Sequence, residues 1–209
     1  MLFRSRAPAP LLFISLVKLK LDGCIVDEIL FSLEKEAISE RNSPESFISP
    51  LDTLMLKNLH QLKLVWGDDM EVISLQTLRE LRVSGCNNLR TICSPEIFKS
   101  MILLEVLEIS DCNELEEIMS DTEVGEQNQG PPNAHSPQIC FPNLERLHVQ
   151  KCNKLKCLFS VAIYWSNLPE NVLPNLRSLI LEQVPNLKVF CPGLSLSNDG
   201  LPQVITHFC

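Results

Sequence analysis

The residues best able to do chemistry in this chain are its nine cysteines and four histidines. Thiols could ligate a soft metal or pair as disulfides, and imidazoles could ligate or carry protons. The cysteines are Cys24, Cys86, Cys93, Cys112, Cys140, Cys152, Cys157, Cys191 and Cys209. No two of them have CxxC spacing, and His60, His135, His148 and His207 are scattered, so a zinc site is not expected. An odd cysteine count in 209 residues does not suit a disulfide scaffold. No asparagine opens an Asn-x-Ser/Thr sequon. Together these features point to a reducing compartment, and a cytoplasmic location is expected. Other chemistries have no residues to use. There is no GxxxxGK(S/T) phosphate loop, no HExxH, no GxSxG and no kinase signature, and seven glycines leave little to cradle a nucleotide. No enzyme activity, cofactor, metal or bound nucleotide is expected.

What positions the cysteines is more informative. Cys86 lies in Leu78-Arg-Glu-Leu-Arg-Val-Ser-Gly-Cys-Asn-Asn-Leu-Arg-Thr-Ile92, and Cys112 at the same place in Leu104-Glu-Val-Leu-Glu-Ile-Ser-Asp-Cys-Asn-Glu-Leu-Glu-Glu-Ile118. Cys152 recurs in Leu144-Glu-Arg-Leu-His-Val-Gln-Lys-Cys-Asn-Lys-Leu-Lys-Cys-Leu158. A fourth copy, Leu176 to Phe190, has Val184 there. Two weaker copies begin at Leu16, with Cys24, and at Leu51, with Leu59. The shared phrase is LxxLxLxx(C/L/V)xxLxx(I/L/F). A metal site would not tolerate Leu59 and Val184. A small buried thiol offering a weak S–H bond to a turn explains the position better.

Leu-x-Leu alternation is the mark of a short strand with two side chains on one face. First leucines at 16, 51, 78, 104, 144 and 176 give intervals compatible with a leucine-rich repeat, the longer ones carrying loop insertions. Prolines from Pro44 to Pro185 exclude an unbroken coiled coil. The expected fold is an α/β solenoid: a leucine-rich-repeat horseshoe with a parallel concave sheet of short strands and an irregular or short-helical convex side. Residues 1–15 read as an irregular leader, 16–190 as about six repeats, and 191–209 as an irregular tail. Arg4, Arg6 and the apolar Leu11–Val17 faintly resemble a signal peptide. Pro8, Pro10 and the missing cleavage site argue against it. Helical spacing predicts short helices over Val26–Ser39, after Ser94-Pro95-Glu96, and over Ser160–Asn167. Residues 121–137 are acidic, hold two glycines and several prolines, and read as a protruding loop.

In such a fold the residues around the paired strand leucines face outward and form the recognition surface. Lys20, Met55, Arg82, Glu108, His148 and Ile180 take the middle position of successive strands, with Arg79, Arg146 and Lys151 beside them. These nine are the candidate partner-binding residues. Arg79 with Arg82 reads as a basic spot, Glu105, Glu108 and Asp111 as an acidic one, and Arg146, His148 and Lys151 as a second basic one. Alternating patches suit discrimination of a protein partner.

Composition narrows the classes further. The chain is 45% hydrophobic and carries a net charge of −8. It can bury a core, and it lacks the clustered Lys and Arg of a general nucleic-acid binder. No apolar run reaches the ~18 residues of a membrane helix.

The phrases Phe141-Pro-Asn-Leu-Glu-Arg-Leu-His-Val-Gln-Lys-Cys-Asn-Lys-Leu-Lys and Leu173-Pro-Asn-Leu-Arg-Ser-Leu resemble the leucine-rich-repeat region of plant intracellular disease-resistance receptors of the coiled-coil, nucleotide-binding class. The resemblance runs from about Leu16 to Phe190. It implies a region that senses a pathogen effector or a guarded host protein, contacts the receptor's nucleotide-binding domain and brings no catalytic residues. It also implies the C-terminal part of such a receptor, a truncated paralogue or a partial gene model. Two other leucine-rich-repeat classes fit less well. A ubiquitin-ligase substrate receptor is expected to carry an F-box-like region, for which there is little room before Leu16. A secreted inhibitor is expected to show sequons and paired cysteine caps.

Overall fold

A computed structural model describes residues 16–31, 47–67, 73–119, 142–159, 173–188 and 204–207. Each leucine phrase forms one strand of a single parallel sheet. The strands are β1 (Lys18–Asp22), β4 (Thr53–Lys57), β7 (Glu80–Ser84), β8 (Val106–Ser110), β10 (Arg146–Gln150) and β12 (Ser178–Glu182), joined by β13 (Val204–His207). They pair in that order. The register places Leu19, Leu54, Leu81, Leu107, Leu147 and Leu179 side by side, and Leu21, Leu56, Val83, Ile109, Val149 and Leu181 in a second row. Both rows point into the core, because side chains two apart share a face. The leading leucines Leu51, Leu78, Leu104, Leu144 and Leu176 are buried beneath them.

Every strand ends in the same way. Gly23, Asn58, Gly85, Asp111, Lys151 and Gln183 occupy one repeat position, and all six have positive φ, between 51 and 66°. This left-handed residue turns the chain off the sheet. The next residue drops back into the core: Cys86, Cys112 and Cys152 are fully buried. Each thiol lies near the carbonyl oxygen two residues back, at 3.6, 3.3 and 3.4 Å. That is the weak S–H bond expected at this position. One residue further on, asparagines stack between repeats. Asn113 Nδ2 donates to Asn87 Oδ1 at 3.1 Å, and Asn153 Nδ2 to Asn113 Oδ1 at 2.8 Å.

Beyond the turn, second short strands also pair in parallel: β2 (Ile29–Phe31) with β5 (Leu64–Trp66), and β9 (Glu117–Met119) with β11 (Cys157–Phe159). A third pair joins β3 (Phe47–Ile48) and β6 (Ile73–Ser74). The described residues contain one helix, α1 (Pro95–Ser100), where the Ser-Pro-Glu signal expects it. Ser94 caps it by accepting a hydrogen bond from Ile97 N. Mostly parallel strands with few helices are consistent with a leucine-rich-repeat fold.

Two expectations change. Residues 29–31 form a strand and not the start of a helix over Val26–Ser39. Pairing with the next repeat decides the matter, a contact the helical spacing of Ile29, Leu30 and Leu33 does not reveal. Within 191–209, expected to be irregular, Val204–His207 pairs with β12. This strand lacks the leucine phrase but is β-branched, and it extends the sheet from β12's free edge. The expected loop over 121–137, the helix over 160–167 and the leader over 1–15 lie outside the described residues.

Candidate functional surface

The outward side of the main sheet carries the candidate residues. Lys20, Met55, Arg82, Glu108, His148 and Ile180 form one continuous row in the register. Lys20 is exposed and the other five are partly exposed. Arg146 stands in the flanking row on β10, and Arg79 lies one residue before β7. Lys151 is not on a strand: it occupies the left-handed turn after β10.

The alternating patches meet each other across the strands and pair. Arg79 Nη1 bonds Glu105, and Arg79 Nε lies 3.7 Å from Asp52. Arg82 Nη1 bonds Glu108, whose other oxygen is 3.6 Å from Arg146 Nη1. Lys151 lies 3.6 Å from Asp111, and Arg177 3.7 Å from Glu145. Glutamates thus stand between arginines of adjacent repeats. Basic and acidic residues are equal in number among the described residues, although the chain is −8. Individually such exposed pairs contribute little, about 0–1 kcal/mol. Collectively they remove the separate basic and acidic spots that the sequence alone suggests.

A second ladder runs along the opposite flank of the turn. Lys63 bonds Glu28 at 2.7 Å, Lys154 bonds Glu114 at 2.7 Å, and Lys156 bonds Glu116 at 2.5 Å. The Lys156 hydrogen bond holds the Glu116 carboxyl below the usual carboxylate range. Sequence reasoning missed this ladder. Its signal was available: Glu114–Lys154 and Glu116–Lys156 are 40 residues apart, the interval from Leu104 to Leu144. The 26-residue spacing of Arg79–Glu105 and Arg82–Glu108 likewise equals that from Leu78 to Leu104.

His148 is the one titratable group at the centre of the face with a resolved shift. Its Nε2 and Ser178 Oγ share a hydrogen bond of 2.8 Å across β10 and β12. Burial holds the imidazole below its usual range, opposed by the neighbouring Glu108 charge. Among the described residues no carboxylate hydrogen-bonds the second ring nitrogen, so the pair lacks the orienting acid of a Ser-His nucleophile system. The geometry makes His148 and Ser178 a fixed hydrogen-bonding feature on the surface.

The buried thiols are shielded from reagents: the Cys112 hydrogen bond lowers Cys86, but Cys86 is fully buried, and the others are raised. Burial pushes Cys152 up to about 11. Contact with the Cys86 thiol, then burial, raises Cys112, and burial alone raises Cys93. Among the described residues no group of three or more His, Cys, Asp or Glu could hold a metal ion. Brief alkylation of the native chain at neutral pH, read by peptide mass spectrometry, is therefore expected to modify the half-buried Cys24 and Cys157 before the fully buried cysteines. Cys86, Cys112 and Cys152 should react only after denaturant is added. Equal labelling in buffer would mean that the repeat interior is open.

A repeated strand, a left-handed turn, a buried cysteine and a stacked asparagine define a leucine-rich-repeat protein. The family model described as "Plant disease resistance protein RPS2-like, leucine-rich repeats" matches residues 7–113, just over half of the chain. The chain belongs to this family of plant disease resistance leucine-rich repeats. The match ends just beyond β8, and β10 and β12 continue the same register past it. No curated protein and no solved structure matches the chain. Among the described residues no helix is long and apolar enough to cross a membrane.

Proposed function

We propose that the chain is a protein-recognition module of plant innate immunity, sensing a pathogen effector or a guarded host protein in the cytoplasm as part of a disease-resistance receptor. Family membership supports a recognition role in resistance. Leucine-rich repeats generally act by binding proteins, and the receptor's own nucleotide-binding domain is a further partner in this reading. The repeats then curve into a solenoid with the main sheet on its concave side. No catalytic group, cofactor, nucleic acid or membrane takes part.

The observation that carries the proposal is the central row from Lys20 to Ile180. It presents six unlike side chains at about 4.8 Å spacing on a backbone locked in one register. Fixed spacing and varied chemistry are what discrimination between proteins requires. The ion pairing refines the mechanism. A neutralised face does little long-range steering, so specificity rests on close contacts with Met55, His148 and Ile180 and on re-pairing of Arg82 and Arg146.

Affinity purification of the tagged full chain from leaf cytosol, with mass spectrometry, tests this. Arg82→Glu and His148→Glu are expected to keep the far-UV CD spectrum and to lose the partner about tenfold, equivalent to ~1.4 kcal/mol. Lys156→Glu, on the other flank, should retain it. Recovery of the same partner by all three variants would refute the assignment of the face. Enrichment of a ubiquitin-ligase adaptor would place the chain in another class.

A further inference from the structure

Glu108 has a basic side chain on each side of it in the outer row. The register sets it directly opposite Arg82 on β7 and directly opposite His148 on β10. Neighbouring strands are about 4.8 Å apart, so one carboxylate can reach either flank. In the structure Arg82 Nη1 holds it, and its other oxygen is 3.6 Å from Arg146 Nη1. His148 is turned the other way, because its Nε2 shares the 2.8 Å hydrogen bond with Ser178 Oγ on β12. A neutral imidazole carries one N–H and no charge, so it does not take a carboxylate from a guanidinium. An imidazolium has two donors and a full charge, and it can.

The charges that meet the ring are nearly balanced. Glu108 faces it from β8, Arg146 from its own strand and Glu182 from β12, where Ser178 and Ile180 are its uncharged neighbours. Arg82 lies one strand further away, on β7. Burial is the largest influence and opposes the charged ring; Glu108 and Glu182 favour it, and Arg146 and Arg82 oppose it. The ring is therefore neutral at neutral pH and takes up its proton only on acidification.

We propose that Glu108 is a two-position element set by the proton on His148: beside the neutral ring its carboxylate holds Arg82 and Arg146, and beside the charged ring it moves to His148 and frees both guanidinia for a carboxylate of the partner. One proton is taken up at the imidazole, and one charge-assisted pair replaces another across the same residue. The side chains of Glu108 and Arg82 are 26 and 33% exposed. They are open enough to re-pair without unfolding, and covered enough that water and salt do not screen the pairing away. Use of the freed arginines in binding rests on the recognition reading above, whereas the exchange is a property of the chain by itself.

An NMR titration of the full chain from about pH 8 to about pH 5 tests the exchange. The His148 ring signals report its protonation. The Nη protons of Arg82 report its pairing, since a held guanidinium gives separate signals and a free one a merged signal. The Arg82 signals are expected to merge at the pH where His148 charges. In His148→Gln they should stay separate throughout the range. In Glu108→Gln, His148 should charge at a lower pH than in the parent, having lost the carboxylate that favours it. Both side chains are partly exposed, so both variants should keep the parent CD spectrum. Three results would overturn the proposal: Arg82 signals still separate once His148 is charged, the same merging in His148→Gln, or a His148 midpoint unmoved by Glu108→Gln. None of these depends on a partner, so the exchange can fail while the recognition surface stands.

Discussion

Leu147→Ala is expected to remove roughly 2–5 kcal/mol of folding free energy, seen as a large fall in the urea midpoint. Leu147 is fully buried, between Leu107 and Leu179 in adjacent strands. The loss combines the transfer of the deleted methyl groups with the cavity left behind. Collapse into that cavity is restricted here, because the flanking backbones are held by strand pairing on both sides. Leu107→Ala should behave alike, since Leu107 stands in the same row between Leu81 and Leu147. The informative control is Leu19→Ala. Leu19 occupies the same row in the first repeat, is only partly buried and should cost roughly half as much. Equal, small shifts for all three would mean that the leucines do not share one interior row.

Cys112→Asp is expected to cost about 3 kcal/mol or more, a large share of the ~5–15 kcal/mol by which an ordinary domain is stable. Cys112 is fully buried between Cys86 and Cys152, and its thiol donates to the Ser110 carbonyl oxygen at 3.3 Å, a group that cannot donate to a carboxylate. Cys112→Val, in contrast, should cost under about 1.5 kcal/mol, because it approximately conserves volume and polarity. Val184 already fills this position one repeat from the C-terminal strand, and Leu59 fills it near the start. Thermal melts of the two variants separate the roles. A structural cysteine gives a large difference between Asp and Val. A redox or metal role gives two variants equally impaired in partner binding, regardless of stability.

The legible part of this fold was the part written in leucine. All six phrases became strands in one sheet, and each Leu-x-Leu pair points inward. Helix α1 was legible because Ser94 and Pro95 act within one turn of chain. Strand β2 was not, because the pattern of Ile29, Leu30 and Leu33 suits a helix locally. Its partner, Leu64–Trp66, lies one repeat away. Strand β13 was not, because it is paired without repeating the phrase. The surface was half legible. Position fixed which side chains point outward, so Lys20, Met55, Arg82, Glu108, His148 and Ile180 do form a row. Reading each repeat alone concealed that Arg82, Glu108 and Arg146 neutralise one another, since ion pairing runs across repeats. The same lateral view shows that Lys151 belongs to the turn, where a left-handed backbone is required.

The neutralised face also bears on how recognition would work. An incoming protein that places a carboxylate beside Arg82 or Arg146 must compete with Glu108 for it. Binding by exchange of partners gives little affinity per charge but penalises a wrongly placed charge strongly. This suits a sensor that must ignore most of the proteins it meets.

The most direct test is site-specific photo-crosslinking of the full chain in leaf extract. A crosslinkable residue is placed in turn at Met55, at His148 and, as controls, at Arg90 and Lys156 on the opposite flank. The recognition proposal predicts one protein crosslinked from both Met55 and His148 and not from the controls. A partner captured from Arg90 and Lys156 alone would contradict the claim that the central row of the sheet is the recognition surface.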